Sequence, residues 1–139
     1  MPGSEQKAEE AVARLRTALD ALKAFKGDPL MERGQLLLSG AAEALEDRRF
    51  RAASGLAEEG MGPVREMRRL QREAADMADR LASRIRSCTR LGIDVERARL
   101  ALERGRAALK RDHHEAIAHL MRGSVELIGA GTKRLRSKR

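Results

Sequence analysis

Residues 63–90 read PVREMRRLQREAADMADRLASRIRSCTR. Met67, Leu70, Ala74, Met77, Leu81, Ile85 and Cys88 recur at intervals of three or four, and the positions between them are mostly charged or small. At 3.6 residues per turn this spacing draws one apolar row along one side of a helix, whereas a strand needs alternation, which the segment lacks. Pro63 suits the first turn of a helix and Gly92 its end. The stretch therefore predicts a long helix around 63–90 with a heptad-like row fit for coiled-coil-style packing.

The rest of the chain follows the same logic. Its 139 residues are 36% charged and 42% apolar, with two aromatics, Phe25 and Phe50, and abundant Ala, Leu, Glu and Arg. These are helix formers, and the β-branched and aromatic residues that favour strands are scarce, so the class is all-α. Ala8, Val12, Leu15, Leu19, Leu22 and Phe25 mark a helix from about Ser4 to Lys26. Gly27-Asp28-Pro29 stops it and starts the next, with Asp28 as cap and Pro29 in its first turn. That second helix, about 29–46, carries Leu30, Gly34, Leu37, Leu38, Ala41 and Leu45, and a shorter one holds Phe50, Ala53, Leu56 and Ala57. Gly60-Met61-Gly62-Pro63 reads as a break or kink. After Gly92, helices are expected at about 94–111, on Val95, Ala98, Leu102, Gly105 and Leu109, and at about 113–128, on Ala116, Ile117, Leu120, Met121 and Leu127.

The order repeats. At an offset of 64, Glu32-Arg33 meets Glu96-Arg97, Leu38 meets Leu102, Ala44-Leu45 meets Ala108-Leu109, and Ala52 meets Ala116. Upstream an offset of 66 matches Leu15, Leu19 and Leu22 to Leu81, Ile85 and Cys88. The expectation is an antiparallel helical bundle or repeat of two similar three-helix units, 1–60 and 61–128, followed by a flexible basic tail, 129–139. In the second copy, ARLALERGRAALKRDHHEAIAHL resembles a tetratricopeptide-like helical hairpin, in which a small residue of the first helix faces an alanine of the second. Gly105 and Ala116 would be that pair, with Ala41 and Ala52 their counterparts. The resemblance implies a helical-repeat interaction module.

Residues 110–120, KRDHHEAIAHL, raise the question of a metal. The zinc-protease pattern H-E-x-x-H works because ligands four apart share a helix face. Here His114 and His119 are five apart, a rotation of about 140°, which turns the two rings to different faces. Asp112, Glu115 and His119 could still line one side. A turn followed by a capping box, with Asp112 as cap and Glu115 three residues on, accounts for the segment better, with His113 and His114 in a solvated first turn and His114 placed to cover the core where Phe50 does. No metal or cofactor site is assigned.

Other chemistry is thin. Cys88 is the only cysteine, which excludes an internal disulfide or a C-x-x-C motif. Gly129-Ala130-Gly131-Thr132-Lys133 lacks the spacing of a phosphate loop. No nucleophile–base arrangement is present, and the chain is read as a non-enzyme. The polar start and the lack of an 18-residue apolar run point to a cytoplasmic protein without a membrane partner.

Charge is the remaining signal. Residues 1–62 hold 9 basic and 11 acidic side chains, residues 63–139 hold 20 and 10. Two functional expectations result. The first is a protein–protein scaffold or adaptor, binding another protein or itself, whose seam is Met67, Leu70, Ala74, Met77, Leu81, Ile85 and Cys88. The second is a nucleic-acid accessory protein gripping phosphates through Arg65, Arg68, Arg69, Arg72, Lys133, Arg134, Arg136, Lys138 and Arg139.

Overall fold

The computed structural model describes residues 3–137. They form five α-helices, α1 (Gly3–Asp20), α2 (Pro29–Glu46), α3 (Phe50–Arg90), α4 (Glu96–Ala108) and α5 (His113–Ser137), plus a 3-10 turn at Lys23–Phe25. No strand occurs among the described residues, so the protein is all-α. The chain divides into two compact units, the first closing at Leu70 and the second opening at Gln71, and α3 contributes residues to both.

In the first unit, α1 lays Val12, Leu15 and Leu19 against α2 and the first part of α3. Phe25, from the 3-10 turn, is fully buried in the same core with Met31, Val64 and Met67. Asp28 starts α2 as its sequence promises. Its carboxylate accepts a hydrogen bond from the Leu30 N–H at 2.8 Å, and Pro29 occupies the first turn, where its missing N–H costs nothing. At the other end Arg48 takes φ 61°, and the Arg49 N–H donates to the Ala44 carbonyl at 2.8 Å. This is the left-handed close that usually recruits glycine.

Of the break or kink expected at Gly60–Pro63, the break does not occur, and α3 continues through the segment with Pro63 inside the helix. Proline removes one N–H and so leaves the Glu59 carbonyl without its usual donor, a cost of about 3 kcal/mol in an isolated helix interior. Tertiary packing outweighs that cost. Ala57, Val64 and Met67 are buried in the core, and Gly60 makes room for the Leu15 side chain, which lies where a Cβ would be.

The second unit builds its core from Leu81, Ala82 and Ile85 of α3, Val95 ahead of α4, Ala98 and Leu102 of α4, and Leu120 and Leu127 of α5. Helices α4 and α5 lie close along their lengths. A Cβ on Gly105 would sit 2.7 Å from Leu120 Cδ2 and 3.5 Å from the Ala116 carbonyl, which places Gly105 opposite Ala116 as the hairpin resemblance implies. In the first unit the corresponding buried alanine is Ala53, and Ala52 is exposed. The discrepancy lies in the turns. Residues 47–49 join α2 to α3, whereas residues 109–112 join α4 to α5, one residue more, so a single offset carried across the turn misplaces the helix beyond it by one position.

Two further boundaries differ from the sequence expectation. The last helix does not end near 128 but runs to Ser137, taking in Gly129–Lys133. Its backbone ladder is supplemented there by Thr132 Oγ1, which donates to the Ile128 carbonyl at 3.0 Å. α1 stops at Asp20, and the remaining expected turn to Lys26 is replaced by the 3-10 segment that inserts Phe25.

Candidate interaction site

The histidine segment is a helix start. Asp112 Oδ1 accepts from the Glu115 N–H at 3.1 Å, which is the cap that the sequence suggests. Glu115 then accepts from Arg111 Nη2 at 2.9 Å and faces His119 Nε2 at 3.4 Å. The Arg111 hydrogen bond holds the Glu115 carboxyl below the usual carboxylate range, opposed by a little desolvation and aided by His119. His113, not His114, is the buried ring, at 7% exposure, and His114 is exposed. The extra turn residue causes this exchange, since it brings His113 to the helix position that Phe50 holds at the start of α3. Among the described residues, no three His, Cys, Asp or Glu side chains gather closely enough to hold a metal ion.

The row proposed as a partner seam is spent inside the chain. Met67, Ala74, Leu81 and Ile85 are buried, Met67 in the core of the first unit and Leu81 and Ile85 in that of the second. Leu70, Met77 and Cys88 are partly buried against the same cores. Of the basic set, Arg65, Arg68, Arg69 and Arg72 are exposed on α3, and Arg69 is paired with Glu66 three residues earlier. Lys133 and Arg136 are exposed on α5, Arg134 is half-buried, and Lys138 and Arg139 lie outside the described residues.

Apolar surface is left uncovered elsewhere. On α5, Met121, Val125, Ile128 and Leu135 are 57%, 67%, 70% and 69% exposed. Intervals of four, three and seven place all four on one side of the helix, about a third of a turn from the buried row of Ala116, Leu120 and Leu127. Beside this row, within the second unit, a groove runs between α3 and α5. Two openings of about 380 and 390 Å³ share Arg84 and Ser124 and so form one trough. Met77, Leu81, Cys88, Met121, Val125, Leu127 and Ile128 supply its apolar lining, Arg80 and Arg84 its charges, and among the described residues no carboxylate lines it.

The sequence carried a signal for this second row. Ala116, Leu120 and Leu127 already complete one core stripe, so Met121, Val125, Ile128 and Leu135 are surplus to what a single buried face requires. Ile117 and Met121 lie next to that stripe in sequence and blur its edge. Among the described residues no helix is long and apolar enough to cross a membrane. No family model, characterised protein or solved structure matches the chain.

Proposed function

We propose that this chain is a non-catalytic helical-repeat module that binds another protein through the α3–α5 groove, and that the occupant is an amphipathic helix with acidic residues flanking its apolar face. The single observation behind this reading is the exposed row of Met121, Val125 and Ile128 opening onto a trough whose only charges among the described residues are Arg80 and Arg84. Large side chains left in water in a continuous line mark contact surfaces, and a helix laid in a groove covers such a line with its own i, i+3, i+4 anchors. Guanidinium groups at the rim select carboxylates by paired hydrogen bonds.

Charge also argues against a second copy as occupant. The second unit holds 17 basic and 9 acidic side chains, so two such surfaces brought together repel, while the first unit is balanced at 12 and 12.

The repeat reading is supported by contacts that recur in both units. Leu15 fills the space beside Gly60, and Leu81 fills the space beside Gly123. These leucines are 66 residues apart and these glycines 63. Ala53, Ala57 and Val64 are buried on α3 as Ala116, Leu120 and Leu127 are on α5, also 63 apart. Such recurrence fits two related units of the tetratricopeptide-like kind.

Selecting a displayed library of amphipathic helices against the full chain tests the proposal. Enriched sequences should carry Asp or Glu beside an apolar face, and they should lose binding to Arg80→Glu/Arg84→Glu and to Val125→Asp. Enrichment of neutral or basic helices, or binding indifferent to these changes, refutes it. Concentration-dependent dimerisation abolished by Val125→Asp would make a second copy the occupant and would refute the partner named here. A second reading rests on the exposed arginines of α3 and on Lys133 and Arg136, which could contact a phosphate backbone. Its mark is steep loss of nucleic-acid affinity with salt, unaffected by Val125→Asp.

A further inference from the structure

A separate pocket of about 660 Å³ opens in the second unit, between the turn from α3 to α4 and the far half of α5. Its walls are Ile93, Ala98, Val125 and Ala130, all apolar, and Arg134 lines one end. Val125 is the only residue it shares with the groove. Arg134 Nη1 is buried and has no hydrogen-bond partner among the described residues. The guanidinium lies against Gly92, whose φ of 71° and missing Cβ allow the approach, since a Cβ there would stand 3.2 Å from Nη1.

Two carboxylates, Asp94 and Glu126, also line the pocket, and each has a partner other than Arg134. Asp94 Oδ1 accepts from the Glu96 N–H at 3.1 Å, and Glu126 faces Arg97 at 3.9 Å. Nη1 itself is closed off, so an anion in the pocket would meet the part of Arg134 that lines it; charge-assisted bonds to carboxylate or phosphate are the strongest that arginine makes. Pockets for small molecules share this plan, with apolar walls and a few placed polar groups, at volumes of roughly 300–1,000 Å³.

We propose that this pocket binds a small organic anion, with a carboxylate or phosphate head on Arg134 and an aliphatic body against Ile93, Ala98, Val125 and Ala130. The pocket meets the groove only at Val125, and its charged end at Arg134 does not depend on a partner in the groove. The lining's three cations, Arg97, Lys133 and Arg134, exceed its two carboxylates, Asp94 and Glu126, by one, which leaves the pocket's potential positive.

Titration of the full chain with octanoate, octyl phosphate, octanol and inorganic phosphate, followed by amide chemical shifts, provides the test. Octanoate or octyl phosphate should give saturable shifts at Gly92, Ile93, Gly129 and Ala130, with octanol and inorganic phosphate at least about tenfold weaker, the loss expected when one charge-assisted pair or the apolar body is missing. The relative affinity of the two charged octyl compounds then identifies the head group. Arg134→Met should weaken binding by about tenfold or more, while Arg72→Met, an equal loss of charge on exposed α3 surface, should leave it unchanged. Should Arg134→Met fail to fold by circular dichroism, Ala130→Leu, which narrows the pocket and keeps the guanidinium, carries the same expectation. Absence of saturable shifts with both charged compounds, equal binding of octanol, or undiminished binding by the folded variants overturns the assignment.

Discussion

Alanine at Gly123, compared with alanine at Gly131, isolates what close helix packing demands of the second unit. Both glycines lie in α5, so the gain in helix propensity is the same, about 1 kcal/mol. Their surroundings differ. A Cβ on Gly131 meets nothing within 4 Å, whereas one on Gly123 would lie 2.7 Å from Leu81 Cδ2, 3.3 Å from Ala101 Cβ and 3.5 Å from the Ala98 carbonyl. Leu81 is 1% exposed and cannot swing into water, and the α4 backbone can yield only by moving the helix. Inserting a methyl into such a packed contact costs about 1–3 kcal/mol. Gly131→Ala should therefore raise stability by up to about 1 kcal/mol, and Gly123→Ala should be neutral at best and lower it by as much as about 2 kcal/mol. Urea denaturation of both variants, followed by helical circular dichroism, measures the gap. If Gly123→Ala stabilises as much as Gly131→Ala, then α4 and α5 do not approach as described, and the core built on Leu81 and Leu120 is misassigned.

Three other outcomes are expected. Arg48→Gly should stabilise by up to about 1 kcal/mol in the same denaturation assay, because a left-handed residue with a Cβ is strained by roughly 1–2 kcal/mol, less about 0.5 kcal/mol from the lost stacking of the Arg48 guanidinium, whose central carbon is 5.6 Å from the Phe50 ring centre, and about 0.5 kcal/mol or more from the extra freedom that glycine loses on folding. Asp112→Ala should cost about 1 kcal/mol by removing the cap on α5, with Asp112→Asn restoring most of it. Glu115 has its carboxyl held low by Arg111, so it contributes stability above its unfolded pKa that disappears as pH falls through the lowered folded one; melting curves taken from neutral to strongly acidic pH should be flatter at the acid end for Glu115→Gln than for the parent chain.

Local signals were legible where local chemistry decides the outcome. The Asp28–Pro29 start of α2 and the Asp112 cap are interactions between near neighbours, and a near neighbour is visible in the sequence. The row from Met67 to Cys88 disclosed a helix for the same reason, because periodicity reports which side is buried. Periodicity does not say by what, and here the chain's own helices cover it. A break at Gly60–Pro63 follows from a rule for a helix standing alone, whereas Leu15, 45 residues away in sequence, packs into the space that Gly60 leaves. The burial of His113 turned on a single residue in the 109–112 turn, a length that repeat alignment averages away. The surplus row on α5 was readable in principle, but only by asking how many apolar residues one core face can use.

The groove's energetics assign different tasks to its two kinds of residue. Burying Met121, Val125 and Ile128 is worth at most about 1.5–3 kcal/mol each if a partner covers them fully, so roughly 5–9 kcal/mol together. Association itself costs about 4–15 kcal/mol in lost translation and rotation. Apolar contact by these residues therefore comes close to breaking even, and it cannot by itself distinguish one greasy helix from another. Arg80 and Arg84 lie where that balance is decided, because each desolvated pair with a carboxylate adds about 1.5–3 kcal/mol, and the two together take the complex from break-even to a Kd between roughly millimolar and tens of micromolar. Reversing both charges should accordingly weaken binding more than shortening Ile128 to alanine, and added salt should weaken the parent complex but have little effect on the remnant binding of the reversed variant. An affinity that Ile128→Ala reduces more than Arg80→Glu/Arg84→Glu would mean that the apolar row supplies specificity as well as contact area, and the acidic character assigned to the partner would have to be withdrawn.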